Sequence, residues 1–533
     1  MSGEFEGEKV LLLEKGKRGI QRVIFGRTLI ILALVMFQAL LLIGTFNYFG
    51  NYIKYAISFY MVFAIIIVFV VINRPKNPDI NLSWVILILV APIVGSMLYL
   101  FVESQIGNRM INARLQKIIK ETGHYVKQDE KTYADLKQKD AGLAGLAQYM
   151  SKYGSFTVSY GNEVQYFPAG EDKFQDLLAE IKKAEKYIFI EYFIIKEGIM
   201  WGNILKLLEE KAQKGVEIRV MYDGMCCLAQ LPVFYPKEIR KLGIKCKMFE
   251  PIQPVLSTHY NNRDHRKIFI IDGKIAYTGG INLADEYINK THPFGHWKDT
   301  AVKITGEGVK NFTLMFLQMW NMKPDRGKMG KVIEENYKRY IDVVMPYYKN
   351  YNGFVIPYSD SPLDNELVGE MVYMHIINRA KKYVYFMTPY LIPDHDMMTS
   401  ITYAAKRNID VRIILPGIPD KKYAYALAQN QYKELISAGV KIYEYVPGFV
   451  HGKVCVSDDD IAVVGTINLD YRSLYLNFEC GLLMYDVKEI ENIKKDIFKT
   501  IEVSELQNMK NYKKGKRGLR LMGKLLKPFA PLM

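Results

Sequence analysis

The chain has 533 residues, a formal net charge of +15 and a composition that is half apolar. This length excludes one ordinary domain and indicates two or three. The charge indicates a polyanionic partner, for which nucleic acid and an anionic membrane surface both qualify. The five cysteines have the spacing of neither a disulfide framework nor a zinc site, so we expect reduced structural thiols.

A basic tail of residues 1–27 precedes three apolar stretches at about 28–47, 55–73 and 83–102. Each stretch is free of charge past its edges and approaches the ~20 residues that cross a bilayer as a helix. A cleaved signal peptide would account for the first stretch alone. The pattern predicts transmembrane helices over 28–103 and a multi-pass protein of the cell membrane.

The cations around these stretches bear on orientation. With three spans, the tail and the loop at Arg74 carry eight cations on one side, and five lie on the other. The positive-inside rule then places the N-terminus in the cytoplasm and the rest of the chain outside. The orientation inverts if the first stretch does not span.

Residues 104–160 are mixed and charged, and we expect a helical connector there. An internal repeat follows, with copies at 161–345 and 346–505. Apolar β-branched strands alternate with helical stretches in both copies, which is typical of α/β layers around a sheet. The recurring segments are 185–190 with 381–386, 215–220 with 408–413, and 242–245 with 438–441.

Each copy carries the pattern H-x-K-x4-D, followed by an Asn 17 positions past the His. One such match would be weak, but two in register with the same Asn offset are hard to attribute to chance. The residues are His265, Lys267, Asp272 and Asn282 in the first copy, and His451, Lys453, Asp458 and Asn468 in the second.

The spacing of the motif indicates phosphate chemistry. Side chains alternate along a strand, so His265 and Lys267 point to the same face. An ammonium has no lone pair for a metal, so the pair suits a phosphate and no metal is expected. The expected catalytic residues are the His, Lys and Asp of both motifs, among which Asp272 lies at the turn and is expected to support the hairpin and Lys267. A single His could be a satisfied core residue, but the duplication favours catalysis.

Displacement at a phosphodiester needs a nucleophile, an acid for the leaving alkoxide, and cations for the other oxygens. Two histidines can supply the first two at neutral pH, because one ring can be neutral while the other is protonated. The two motif lysines supply the cations, with Asn282 and Asn468 as neutral donors. Asn282 also resembles a helix N-cap, and a helix starting there would add backbone N–H groups to the site.

These residues closely resemble the phospholipase D superfamily, whose signature is this pair of motifs. With the apolar leader, they resemble the bacterial cardiolipin synthases in particular, from about residue 28 to the C-terminus. The resemblance implies two pseudo-symmetric α/β repeats that share one active site. It also implies that one His becomes phosphohistidine while the other acts as acid and base. We expect His265 to be the nucleophile.

The resemblance further implies a carboxylate partner for each His, about 25 to 35 residues downstream. Glu479 fits this role in the second copy, and in the first copy Asp299 is preferred to Glu286. Ser473 resembles the Asn-plus-Ser arrangement of the family, so Asn282, Asn468 and Ser473 are the expected substrate-binding residues. The first copy has an acid in place of Ser473, so the two halves are not equivalent.

The last segment, residues 506–533, interleaves eight lysines and arginines with Leu and Met. A solvated helix face would explain the charges. An amphipathic helix that lies on anionic lipid explains both the charges and the apolar residues.

These features predict transfer of the phosphatidyl group from one phosphatidylglycerol to another, which gives cardiolipin and glycerol. The expected partners are phosphatidylglycerol and anionic membrane lipid, without nucleic acid and without a cofactor, and the oligomeric state stays open. The alternatives are a phospholipase D that uses water, a transferase that uses ethanolamine, a nuclease of the superfamily, and a scaffold with decayed motifs. Three apolar stretches disfavour the nuclease, and two complete motifs argue against the scaffold.

Overall fold

A computed structural model describes residues 53–104, 106–228, 230–232, 234–249, 262–323, 325, 333–345, 351–364, 366–514 and 517–532, together with Met36 and Leu40. The chain forms two compact units. The larger unit holds residues 110–254 and 260–523 and contains both repeats. The smaller unit holds chiefly residues 12–109 and 524–533.

The first repeat is built on a seven-stranded sheet in the order β2-β10-β8-β7-β3-β4-β5. Strands β3, β4 and β5 run parallel, and β7 lies antiparallel to β3. All six residues of β3 are buried, as expected for a strand covered on both faces. The strands in chain order are β1 (Ser159–Tyr160), β2 (Glu163–Phe167), β3 (Tyr187–Tyr192), β4 (Glu217–Asp223), β5 (Lys245–Phe249), β6 (Arg263–Asp264), β7 (Lys267–Ile271), β8 (Ile275–Gly279), β9 (His296–Lys298) and β10 (Ala301–Thr305).

The second repeat has the same central order, β11-β20-β18-β17-β12-β14-β15, and β1 and β21 extend its two edges. The segments that recur in the sequence form β3 and β12, β4 and β14, and the starts of β5 and β15. The shared order confirms the predicted α/β fold with two repeats. The strands are β11 (Phe354–Asp360), β12 (Tyr383–Met387), β13 (Leu391–Ile392), β14 (Asp410–Pro416), β15 (Lys441–Tyr445), β16 (Gly448–Val450), β17 (Val454–Ser457), β18 (Ile461–Gly465), β19 (Leu469–Asp470), β20 (Asn477–Tyr485) and β21 (Ser504–Gln507).

Helices cover the sheets with one apolar face. In helix Gly170–Lys183, for example, Phe174, Leu177 and Ile181 are buried, and acidic residues occupy the first turn and lysines the last. The α-helices from the connector onward are Ile106–Thr122, Glu130–Lys139, Ala141–Gly154, Gly170–Lys183, Ile199–Gln213, Gly224–Cys227, Tyr235–Lys241, Val309–Asn321, Tyr337–Ile341, Val368–Arg379, His395–Lys406, Lys422–Ala438, Tyr471–Tyr475, Ile490–Glu502, Met509–Lys514 and Arg517–Leu526. Short 3-10 helices lie at Gly123–Tyr125 and Asp285–Ile288.

The smaller unit contains the helices Ile53–Ile72, Pro78–Val90 and Pro92–Ser104 and the 3-10 helix Lys527–Leu532. Its core includes Val71, Ile88 and Tyr99. Glu103 forms ion pairs with Arg74 at 2.5 Å and with Lys76 at 3.4 Å. The two ion pairs join the turn after the first of these helices to the end of the third.

The observed helices match the predicted transmembrane stretches only in part. The second stretch, 55–73, coincides closely with helix Ile53–Ile72, whereas the third, 83–102, is broken between Val90 and Pro92. The prediction of one continuous helix over 83–102 is therefore wrong. The cause is Pro92, because proline disfavours a helical conformation at the preceding residue. The first stretch, 28–47, lies outside the described residues except for Met36 and Leu40. Among the described helices, none combines the length and the apolarity needed to span a bilayer.

Candidate active site

Each motif histidine is positioned by a strand that pairs with the other repeat. Strand β6 leads into His265 and lies parallel to the start of β20. Strand β16 leads into His451 and lies parallel to β9. The pairing continues at the histidines, since His265 N–H donates to Phe478 O at 2.9 Å and His451 N–H donates to Lys298 O at 2.7 Å. These two exchanged pairings bring the motifs into one site.

Each histidine contacts a buried carboxylate that also belongs to the other repeat. His265 Nδ1 lies 2.9 and 2.8 Å from the two carboxylate oxygens of Glu479. His451 Nδ1 lies 2.7 Å from Asp299 Oδ2. The two carboxylates are those predicted, but the predicted pairing within each copy is wrong. It crosses because β6 and β16 place each histidine beside the strand that carries the other copy's acid.

The carboxylates are themselves held in place. Glu479 accepts hydrogen bonds from the Thr466 hydroxyl and, at 3.1 Å, from Asn477 Nδ2. Asp299 Oδ1 accepts from Thr300 N–H at 2.8 Å. A Cβ at Gly280 would lie 2.0 Å from Asp299 Oδ1, so a side chain at this position would displace the acid. Each histidine therefore has an orienting acid with a fixed position.

The motif lysines make the same contact in both repeats. Lys267 Nζ donates to His265 O at 2.7 Å, and Lys453 Nζ donates to His451 O at 2.5 Å. Both ammonium groups are buried, and Lys267 Nζ also lies 5.2 Å from the centre of the Phe193 ring. Within the described part of the chain, no group of three or more His, Cys, Asp or Glu side chains could hold a metal ion. The lysines are the cations that this site offers to an anion.

Burial and the lysine charges lower the pKa of His265 well below its usual value and lower that of His451 to about 3. Both rings are therefore neutral at pH 7 when the site is empty. Because Nδ1–H of each ring donates to its carboxylate, the lone pair lies on Nε2, which is the nucleophilic atom. Burial also lowers the pKa of Lys267 to about 8 and that of Lys453 to about 7. A bound anion would raise all four values.

The two carboxyl groups differ from each other. Burial raises the pKa of Glu479 to about 7, although Lys267 opposes the shift. Burial also acts to raise the pKa of Asp299, but the hydrogen bond and charge of His451 leave it below the usual value. At pH 7 Asp299 is ionised, whereas Glu479 is close to its midpoint. Protonation of Glu479 would weaken its hydrogen bond with His265 Nδ1–H, because the carboxyl group loses its charge.

The motif aspartates lie at the far ends of β7 and β17 from the histidines. Asp272 and Asp458 both have positive φ, and each carboxylate accepts three backbone N–H groups where β3 or β12 begins. Their predicted place among the catalytic residues is corrected by this geometry. Asp272 supports the hairpin, as expected, but its hydrogen bonds go to the backbone and not to Lys267. The amides are those of Glu185, Lys186 and Tyr187 for Asp272, and of Lys381, Lys382 and Tyr383 for Asp458.

The motif asparagine of the first repeat is hydrogen-bonded to the protein through both its amide oxygen and its amide nitrogen. Asn282 Oδ1 accepts from Ile194 N–H at 3.1 Å, and its Nδ2 donates to the Tyr287 hydroxyl at 2.7 Å. The predicted helix start at Asn282 is wrong, because the 3-10 helix begins only at Asp285. The Asp285 carboxylate instead accepts backbone N–H groups at the start of helix Ile199–Gln213. Asn282 therefore holds the strand ends together.

The motif asparagine of the second repeat is different. Asn468 is 5% exposed, and its Oδ1 has no hydrogen-bond partner among the described residues. Ser473 N–H donates to Asp470 Oδ1 at 2.8 Å, and the Ser473 hydroxyl lies close enough to lower the pKa of Glu479. The amide oxygen of Asn468 is therefore available to a ligand, whereas that of Asn282 is occupied by a backbone N–H group. This difference agrees with the unequal sequences of the two halves.

A further buried ion cluster was not found from the sequence. Arg266, between His265 and Lys267, pairs with Glu191 and with Asp264. The corresponding residue of the second repeat is Gly452, where a Cβ would lie 2.9 Å from Met387 Sδ. The motif does not specify the residue between His and Lys, so the sequence gives no signal for this ion cluster. The structure reveals it, because Arg266 is buried beside the site.

The comparisons with known proteins agree with this geometry. The family model described as "Cardiolipin synthase, PLD-like domain" matches residues 177–320 and 373–501, which is half of the chain. A second model, "Phospholipase_D-nuclease N-terminal", matches residues 62–103. Both copies of the repeat are covered by the first match.

Several curated proteins match over most of the chain. An uncharacterized protein of Streptococcus mutans is 47% identical over 87% of this chain and 98% of its own length. The cardiolipin synthase of Alkalihalophilus pseudofirmus is 30% identical over 89% and 93% of the two chains. Cardiolipin synthase 1 of Staphylococcus aureus is 32% identical over 82% and 87%.

Among solved structures, the phosphatidylserine synthase of Haemophilus influenzae matches with a TM-score of 0.53 and 15% identity, over 73% of this chain and 98% of that one. This likeness shows the fold. The family model and the curated relatives establish that the chain belongs to the cardiolipin synthase family of the phospholipase D superfamily and is a phosphatidyltransferase.

Proposed function

We propose that the chain is a cardiolipin synthase that transfers a phosphatidyl group between two phosphatidylglycerol molecules. The observation that carries the proposal is the shared site, in which two neutral histidines each contact a carboxylate through Nδ1. The charges of two lysines of lowered pKa act on both rings and would stabilise a bound phosphodiester. Because the chain belongs to the cardiolipin synthase family, the phosphodiester is that of a phospholipid.

His265 Nε2 attacks the phosphorus of the donor lipid, and the bond from phosphorus to the oxygen of the head-group glycerol breaks. His451 gives its Nε2 proton to that oxygen, having taken it up as the bound phosphodiester raised its pKa. Lys267 and Lys453 stabilise the charge on the phosphoryl oxygens. The hydroxyl of a second phosphatidylglycerol then gives its proton to His451 and attacks the phosphorus. Cardiolipin forms and His265 is restored.

The reaction requires the protein to lie against a membrane, and we propose two attachments. The N-terminal apolar stretches are the first. The second is helix Arg517–Leu526, in which Leu521 and Leu525 are 60% and 67% exposed on a helix that also carries Arg517 and Lys524. Cations interleaved with exposed leucines suit the surface of an anionic leaflet.

The proposal is tested with purified full-length protein in bilayers of phosphatidylglycerol. Water is abundant, so a lipid acceptor is used only if the site orients its hydroxyl, and such orientation gives effective molarities of about 10⁵–10⁸ M. We expect cardiolipin and free glycerol in equal amounts, with little phosphatidic acid, measured by lipid mass spectrometry and a glycerol assay. Added glycerol should reverse the reaction. Mainly phosphatidic acid would show a phospholipase D instead.

The pH dependence of kcat/KM should be bell-shaped with a maximum near neutrality. The rate falls on the acid side because Glu479, with a pKa of about 7, becomes protonated and loses the negative charge that orients the His265 ring and stabilises its charged form. It falls on the alkaline side because Lys453 and Lys267, with pKa values of about 7 and 8, lose their charge. In Lys453→Arg the charge persists, so the alkaline limb should move upward. An unchanged alkaline limb in that variant would exclude Lys453 as its source.

A further inference from the structure

The two sides of the active site differ in charge as well as in hydrogen bonding. On the side of the first repeat, Lys196 follows the bridge between Ile195 and Leu283 and pairs with Glu286 at 3.5 Å. On the side of the second repeat, Lys421 directly precedes helix Lys422–Ala438, in the loop that follows β14. Parallel strands end at one edge of a sheet, so this loop borders the edge where the histidines lie.

The strand pairing brings the ring that Lys421 contacts to the ladder that Asn468 enters. Its Nζ lies 4.8 Å from the centre of the Tyr390 ring. Tyr390 directly precedes β13, and Asn468 directly precedes β19, whose Leu469 pairs with Leu391 of β13. Tyr390 and Asn468 therefore enter the same two-stranded ladder side by side. The charge of Lys421 also acts on His265, since it is one of three lysines that lower the pKa of that ring.

The ammonium group of Lys421 is available for a ligand. Its side chain is 47% exposed, and Asp420 Oδ2 is 3.9 Å away, which is beyond hydrogen-bonding distance. That oxygen accepts instead from the Tyr390 hydroxyl at 2.7 Å. Asp470 is the other nearby acid, and burial raises its pKa, while its Oδ1 is held by Ser473 N–H. No hydrogen bond of Lys421 Nζ occurs in the described part of the chain.

Asn468 provides the second observation. It is 5% exposed, and its Oδ1 has no partner among the residues that the structure describes, although a buried carbonyl oxygen requires a donor. A hydroxyl group satisfies it. This side of the site therefore presents both an acceptor for a hydroxyl and a cation for an anion.

We propose that Lys421 binds the phosphodiester of the acceptor lipid while Asn468 Oδ1 accepts a hydrogen bond from the acceptor's head-group hydroxyl. In phosphatidylglycerol three carbon atoms separate the attacking hydroxyl from the phosphate ester oxygen. One molecule can therefore reach both groups while its hydroxyl faces the phosphohistidine. The second phosphate distinguishes a lipid acceptor from water and from free glycerol, so Lys421 sets the choice of acceptor. This inference rests on the proposed transferase function.

The test compares acceptors with and without a phosphate, at the same donor. Full-length wild-type protein and Lys421→Ala are placed in phosphatidylglycerol bilayers. Cardiolipin formation measures the lipid acceptor, and incorporation of labelled glycerol into phosphatidylglycerol measures the neutral one. We expect Lys421→Ala to lower cardiolipin formation about 10-fold to 100-fold, as for loss of a charge-assisted contact, and to leave glycerol incorporation unchanged. Lys421→Arg should restore most of the cardiolipin.

Lys196→Ala is the control, because Lys196 is a lysine of the first repeat that follows β3, beside the bridge between Ile195 and Leu283, and is already paired with Glu286. Its ratio of the two rates should equal that of the wild type. Equal loss of both rates in Lys421→Ala would show a structural role, and no loss would remove Lys421 from acceptor binding. Either result overturns the inference.

Glycerol 3-phosphate as a soluble acceptor separates phosphate recognition from lipid recognition. Lys421→Ala should lower its use as strongly as that of the lipid, and a loss confined to the lipid would contradict binding of the phosphate. If the wild type makes no cardiolipin, the proposed function fails. The comparison of glycerol 3-phosphate with glycerol still decides whether Lys421 binds a phosphate.

Discussion

Replacement of either His265 or His451 by alanine is expected to lower turnover by at least about 10³-fold, as for loss of a nucleophile or of a general acid. Neither repeat can compensate for the other, because each supplies one ring and orients the ring of its partner. Turnover is measured as cardiolipin formed from phosphatidylglycerol in bilayers. His292→Ala, which changes an exposed loop histidine, is the control and should keep full activity.

The two histidines are then distinguished with a donor lipid whose leaving group is p-nitrophenol. This group departs as a stable anion and needs no acid, so the first step requires the nucleophile alone. We expect His451→Ala to form and accumulate a phosphohistidine, and His265→Ala to form none. Accumulation in His265→Ala would assign the nucleophile to His451, and near-normal turnover in either variant would contradict the two-histidine mechanism.

Much of this site could be predicted because the residues of each motif lie close together in the sequence. The motif spacing places Lys267 close to His265, and Lys267 Nζ donates to His265 O, although His265 itself lies between β6 and β7 and not within a strand. The internal repeat likewise predicted α/β layers in both copies, and the two sheets share one central strand order. Local spacing and repetition carry over to three dimensions because they depend on no distant contact.

The crossed carboxylates could not be predicted in the same way. Their separations along the chain favoured a partner for each histidine within its own repeat. The true partners are set by the parallel pairing of β6 with β20 and of β16 with β9, which joins segments distant in sequence. No periodicity within one segment reports such a pairing. Asn282 is a second case, because its Oδ1 is held by the distant Ile194 N–H. Its other partner, Tyr287, occupies the position at which the second copy has Ser473.

The broken third apolar stretch was within reach of sequence reasoning. Pro92 lies inside 83–102, and a proline makes a helical conformation of the preceding residue unfavourable. Hydrophobicity alone favoured one continuous helix, because it averages over the stretch and ignores the backbone. The two helices Pro78–Val90 and Pro92–Ser104 show that the backbone restriction decides the outcome.

The crossed pairing leads to the second large effect. Asp299→Asn and Glu479→Gln should each lower cardiolipin synthesis by about 10²-fold to 10⁴-fold, the range seen when a histidine loses its orienting acid. The amides preserve size but can present an N–H group to Nδ1, which favours the wrong tautomer of the ring. Each variant therefore impairs one histidine, and the affected step reveals which.

The p-nitrophenol donor separates the two steps. Because Glu479 orients His265, Glu479→Gln should slow release of p-nitrophenol in the first turnover. Because Asp299 orients His451, Asp299→Asn should release p-nitrophenol at nearly the normal rate in a burst, and then transfer slowly to the acceptor hydroxyl. Stopped-flow absorbance measures the burst, and quenched samples measure the phosphohistidine. If each acid served the histidine of its own repeat, the two variants would exchange these behaviours, with the burst retained in Glu479→Gln and lost in Asp299→Asn.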